Sequence, residues 1–219
     1  MSYAASVFDI LFSAYFLVFG ILILVKGRTS YEKLLGAAGL TLGIGEIAHT
    51  VFMLLSRFAA GDLALGLAVA RSCAGLILMA ALVLIYLAWH GYYGEGQYHK
   101  LSRLLYALCV LRALLLLPYV LAPNPSSLLW WALRSLVLLG AALPVVRNYF
   151  KNRWRSSRFS LVWLLLALGA VLYLPADALS GVAGWIFSAL SRLCLAALLW
   201  LFFLAVTKDA PGARRRKDE

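Results

Sequence analysis

The stretch GIGEIAHTVFMLLSRF, residues 43–58, is long and apolar enough to lie in a membrane span, yet Glu46 and His49 stand three residues apart near its middle. Side chains at i and i+3 share one helix face, so both groups look into the same surroundings. An ionised group at the centre of a bilayer costs about 2.5–3.5 kcal/mol even on lenient insertion scales. That face therefore turns to a protein interior and not to lipid, and the stretch predicts a bundle of membrane helices with something polar inside it.

The rest of the chain agrees with a membrane setting. Of 219 residues 64% are apolar and only 13% charged, the mean hydropathy is +0.90, and uncharged runs of roughly twenty residues recur from one end to the other, which a soluble domain could not cover with polar surface. Hydropathy punctuated by Gly, Pro and charge gives seven spans, at about 8–26, 34–56, 63–89, 102–122, 127–146, 159–178 and 183–206. The expected fold is an all-α seven-helix bundle over 1–207 followed by a basic tail, 208–219, whose composition is that of disordered chain. The first apolar run lacks a basic stretch before it and an Ala-x-Ala-like site after it, so it reads as a retained helix. Cys73, Cys109 and Cys194 fall inside spans with no Cys-x-x-Cys and no His/Cys spacing suited to zinc, so neither a disulfide, a metal nor another cofactor is expected.

Orientation follows from the cations. Fifteen of the twenty Lys and Arg, from Lys26 and Arg28 to Arg216 and Lys217, fall in the first, third and fifth connections and the tail, against Arg57 alone on the opposite side. Cytoplasmic connections retain positive charge, which places the N-terminus outside and the C-terminus in the cytoplasm. The connection RNYFKNRWRSSRF interleaves aromatics with cations, a pattern compatible with nucleic acid, but interfacial anchoring beside anionic lipid is its ordinary meaning in a membrane protein. Membrane lipids, and a protein on this basic face, are the expected partners, and nucleic acid is not. Similarity between residues 71–88 and 192–205, and between spans one and five, suggests two three-helix halves joined by the fourth span, a parallel 3+1+3 repeat.

Seven ionisable groups remain at membrane depth: Glu46, His49, Arg71, Arg112, Arg134, Asp177 and Arg192. At 1.5 Å per residue, His49, Arg71, Arg134 and Arg192 lie roughly 10–14 Å below the outer surface, Glu46 and Arg112 nearer the midplane, and Asp177 at the rim. Four arginines against two carboxylates leave about two positive charges unbalanced, and an unbalanced cationic chamber attracts an anion. Pro118, Pro144 and Pro175 lie inside spans, where they free carbonyls to line a cavity, and Tyr119 and Tyr173 stand near the outer rim.

The segments LGIGEIAH, ALGLAVARSCAG leading into LIYLAW, VLRALLLLPYV, WWALRS and VLYLP followed by LSRLC resemble a group of uncharacterised bacterial seven-helix integral membrane proteins. That group carries Gly-x-Gly-Asp/Glu-x-x-His in helix two and basic residues in helices three and seven. Glu46, His49, Arg71, Arg112, Arg134 and Arg192 fall on the pattern, while Asp177 does not. The resemblance implies the fold and a bacterial cytoplasmic membrane, and no activity. Retinal proteins fit less well, because a Schiff base needs a lysine in mid-span seven, where Arg192 stands. Zinc-dependent seven-helix hydrolases need several intramembrane histidines, and the spans offer only His49.

Three functions are compatible with these residues. The first is a binding protein or transporter whose net-positive pocket, in the outer half of the bilayer, takes an anionic small molecule or lipid headgroup, with Glu46 and His49 able to carry a proton. The second is an intramembrane lipid hydrolase using Glu46 or His49 as acid and base. The third is a sensor or scaffold in which the buried charges only lock helices together.

Overall fold

In hydrocarbon every backbone N–H and C=O must find a partner within the chain, so uncharged apolar runs of membrane length close into helices. The structure, a computed structural model, describes residues 3–58, 64–93, 98–115, 128–179 and 181–207. Seven α-helices lie among them: α1 (Tyr3–Lys26), α2 (Ser30–Phe58), α3 (Ala64–Tyr93), α4 (Tyr98–Leu114), α5 (Leu128–Lys151), α6 (Val162–Ala178) and α7 (Gly181–Thr207), with a 3-10 turn at Ser157–Phe159. Each corresponds to one of the spans expected from sequence. Five of them, α1, α2, α3, α5 and α7, are long and apolar enough to cross a membrane. The far part of the expected fourth span, with Pro118 and Tyr119, and the tail 208–219 lie outside the described residues.

Local chemistry sets the helix ends. Thr29 and Glu32 form a reciprocal cap on α2: the Glu32 carboxylate accepts the backbone N–H groups of Arg28 at 2.7 Å and Thr29 at 3.0 Å, and Glu32 N–H donates to the Thr29 hydroxyl at 3.3 Å. At the end of α6 the Leu179 N–H returns to the Pro175 carbonyl at 2.9 Å, and Gly181, at φ 71°, supplies the left-handed step into α7 that other residues resist.

The helices pack in a ring, α1 on α2, α2 on α3, α3 on α4 and α5, α5 on α6, α6 on α7, and α7 back on α1. Small residues let backbones approach. A Cβ on Gly20 of α1 would stand 2.6 Å from the backbone nitrogen of Leu40 on α2, so this contact admits no side chain. The two ends of the ring differ. Towards the basic connections the interior is filled by Tyr86, Trp89, Tyr149, Phe159 and Phe202, with the Tyr149 hydroxyl donating to the Ile85 carbonyl at 3.2 Å. Towards the opposite end, where α1, α3, α5 and α7 begin, the buried side chains turn polar: Asp9, Ser13, Thr50, Arg134, Ser191 and Arg192. Large aliphatic side chains such as Val25 and Leu143, 78% and 72% exposed, form the outer surface, as expected where lipid tails are the solvent.

Candidate functional site

The GIG motif ahead of Glu46 sets the geometry of the polar end. A Cβ on Gly43 would stand 2.9 Å from Leu17 Cδ2 on α1, and one on Gly45 would stand 2.7 Å from Ile77 Cγ2 on α3. The two glycines thus let α1 and α3 close on either flank of α2, and the next side chain, Glu46, reaches α7 across the interior. Ser13 and Thr50 knit α1 to α2 one turn away, their hydroxyls 3.4 Å apart.

Arg192 of α7 is the hub. One guanidinium nitrogen, Nη1, donates to Asp9 Oδ1 of α1, and Nη2 lies 2.8 Å from Glu46 Oε2 of α2. All three side chains are largely buried, so the charges are strong in each other's field and costly to separate. The preceding residue, Ser191, fixes the register of this turn by donating to the Gly169 carbonyl of α6 at 2.9 Å. One cation therefore ties together the first, second and last helices of the ring.

A second group lies on the α4, α5 and α6 side. Arg134 of α5 faces Asp177 of α6, Nη2 to Oδ2 at 3.4 Å, and beside it the Trp131 indole N–H donates to the Leu174 carbonyl at 3.3 Å. Arg112 of α4 is 1% exposed. Its guanidinium lies over Gly75 of α3, next to the Tyr173 hydroxyl.

Between the two groups is a cavity of about 200 Å³, far above the ~10–15 Å³ that one water needs. Asp9, Glu46, His49, Tyr173, Asp177 and Arg192 contribute to its polar wall, and Leu42, Ile77, Leu78 and Leu195 to its apolar wall. Of the residues singled out in the sequence, Glu46, His49, Asp177 and Arg192 thus converge on one chamber. Arg112 and Arg134 stand behind its lining, against Tyr173 and Asp177. Arg71 is placed on α3 one turn before the lining residue Ala74, and its side chain lies outside the described residues.

Asp9 is the residue of the chamber wall that the sequence reading left out. Its signal is a polar stripe, Asp9 and Ser13 four residues apart, on a helix otherwise apolar from Val7 to Val25. With Asp9 counted, the charges described around the chamber are Asp9, Glu46 and Asp177 against Arg112, Arg134 and Arg192, three of each sign. The surplus of two cations expected from sequence set four arginines, Arg71 among them, against Glu46 and Asp177; Asp9 lowers that sum by one, and the Arg71 side chain lies outside the described residues. Among the described residues no group of three His, Cys, Asp or Glu side chains is arranged to hold a metal ion. Comparison of the chain with protein-family models, with curated proteins and with solved structures finds no match. The chamber itself is therefore the ground for assigning a function.

Proposed function

We propose that the protein is a membrane-embedded binding protein or transporter in which an anionic small molecule or lipid headgroup enters the chamber together with a proton. The observation that carries this reading is the single guanidinium of Arg192 held between Asp9 and Glu46 on the wall of the cavity. The two carboxylates take the places beside Arg192 that a ligand's anionic oxygens would occupy, and an incoming anion must displace one of them.

Charge balance then calls for the proton. Among the described side chains the six charged groups sum to zero, so against them an anion arriving alone in this low-dielectric interior would bring an uncompensated charge. A proton taken up by Glu46, or by His49 one turn further on, restores neutrality, and on Glu46 it also loosens the hold on Arg192. The concentration of basic residues at the other end of the bundle supports a chamber on the non-cytoplasmic side, with the N-terminus outside and the C-terminus in the cytoplasm. Sequential packing within α1–α2–α3 and within α5–α6–α7 supports two three-helix halves joined through α4.

The test is calorimetric titration of the protein in nanodiscs with inorganic phosphate, succinate and a short-chain phosphatidylglycerol, between about pH 5 and pH 8. The expected result is that at least one probe binds more tightly in acid, that Glu46→Gln binds it at alkaline pH about as well as the wild type does in acid, and that Arg192→Ala loses it. Failure of every probe at both ends of the range, or binding that survives Arg192→Ala unchanged, overturns the reading.

A further inference from the structure

The turn that follows α5, at the opposite end of the bundle, carries a second recognition feature that the chamber does not use. Backbone bonds close it tightly: Asn152 N–H returns to the Asn148 carbonyl at 3.2 Å, Arg153 N–H to Phe150 at 3.3 Å and Arg155 N–H to Asn152 at 3.0 Å. Asn152 is buried, and its side-chain amide also donates to the Asn148 carbonyl, at 3.2 Å. Phe150 is held from the side by Trp163 of α6, ring edge to ring face, with centroids 4.9 Å apart.

On this platform sits Arg153. Its guanidinium carbon lies 3.7 Å from the centre of the Phe150 ring and 4.9 Å from that of Trp154, and Nη1 donates to the Phe150 carbonyl at 2.8 Å. A surface arginine ordinarily samples many rotamers. Here two rings and a carbonyl fix the plane of the guanidinium, so the ordering entropy that a ligand would otherwise face has already been met by folding. Nε and Nη2 have no partner among the described residues. Fixed donors on a planar cation match two oxygens of a phosphate.

We propose that this turn is a docking site for the phosphate of an anionic phospholipid in the leaflet at the basic end of the bundle. Three observations distinguish it from a merely basic connection. Trp154 is 83% exposed directly beside Arg153, the placement of an indole that sits among headgroups. Arg147, Lys151 and Arg155 are exposed on the same short segment and supply complementary charge. The phosphate-binding edge is pre-ordered, which a diffuse attraction between cations and anionic lipid does not require. The apolar body of Trp154 favours a lipid over a free phosphate ion.

The experiment is native mass spectrometry of the full chain released from mixed phosphatidylcholine and phosphatidylglycerol nanodiscs, scoring the phosphatidylglycerol retained per protein. The wild type retains it preferentially, and Arg153→Gln weakens retention by about fivefold or more, the size expected for one arginine at an anionic surface. Arg153→Lys, which keeps the charge and removes the planar fork, recovers only part of it, and Trp154→Ala weakens it as well. Arg28→Gln, which removes an exposed cation at the same end of the bundle, weakens it clearly less than Arg153→Gln does. The inference is overturned if Arg153→Gln retains the lipid like the wild type, or if Arg28→Gln lowers retention as much as Arg153→Gln does. It is equally overturned if inorganic phosphate displaces the lipid at comparable concentration, since the site would then serve a free ion.

Discussion

The guanidinium of Arg112 occupies the space in which a side chain on Gly75 would have to begin: a Cβ built on that glycine would lie closer to Nη2 than real atoms approach, and 3.1 Å from the Tyr173 hydroxyl. A fully buried cation on α4 is thus admitted by a gap in α3. The same gap brings Arg112 against Tyr173, which lines the chamber from α6. Packing and polarity at this point are one arrangement.

Gly75→Ala therefore forces Arg112 out of its slot and leaves a buried charge poorly placed. The expected loss of stability is about 2–3 kcal/mol, from overpacking plus a disturbed buried charge. Thermal unfolding in detergent measures it. In an Arg112→Met background the same glycine substitution costs clearly less, because the flexible thioether can move aside. Equal costs in the two backgrounds would mean that Gly75 and Arg112 do not act as a pair.

Arg192 binds three helices through two carboxylates, and its removal strands both. Arg192→Met is expected to destabilise the protein by about 3–5 kcal/mol, the range for breaking a buried ion pair from one side. Adding Glu46→Gln removes one of the stranded charges and should recover part of that loss, while Glu46→Gln alone is milder than Arg192→Met. Unfolding curves of the two single variants and the double variant decide this. An additive result would show that Glu46 and Arg192 are not coupled.

Much of this architecture was legible in the residues. Helix positions followed from the uncharged runs, because the bilayer sets their length, and Glu46, His49, Asp177 and Arg192 converge because an interior is where such groups are tolerated. What was not legible depends on helix rotation and on exact depth. Asp9 stands near the start of its span, where a carboxylate can also sit in an interface at little cost, so only its connection to Arg192, 183 residues away in sequence, reveals its place. Gly75 looks like any small residue in a membrane helix until α4 is docked on α3. The sum of charge around the chamber shifts by one for the same reason, since Asp9 adds a carboxylate that its own helix alone does not mark as buried.

Asp177 and Arg134 form a looser pair than Arg192 and its partners, with the nearest nitrogen and oxygen 3.4 Å apart at the end of α6. Asp177→Asn keeps an acceptor opposite Arg134 and is expected to cost about 1–2 kcal/mol, less than Arg192→Met, since it strands no second charge and the 3.4 Å contact it weakens is longer than an ideal ion-pair bond. Thermal unfolding again provides the comparison. A loss as large as that of Arg192→Met would mean that α5 and α6 depend on this bridge as heavily as α1, α2 and α7 depend on theirs.

The side of the membrane that the chamber faces is open to a direct check. Fifteen cations in the first, third and fifth connections and the tail, against Arg57 alone in the others, predict from sequence that the turn at Trp154 is cytoplasmic and that the start of α7 faces outward. Both positions suit a probe, because Trp154 and Val182 are 83% and 75% exposed. In a background with Cys73, Cys109 and Cys194 replaced by Ala, a membrane-impermeant maleimide applied to intact cells should label Val182→Cys and spare Trp154→Cys. Inverted membrane vesicles should give the opposite pattern. If Trp154→Cys is the one labelled in intact cells, the chamber opens to the cytoplasm, and an anion reaching Arg192 would have to come from within the cell.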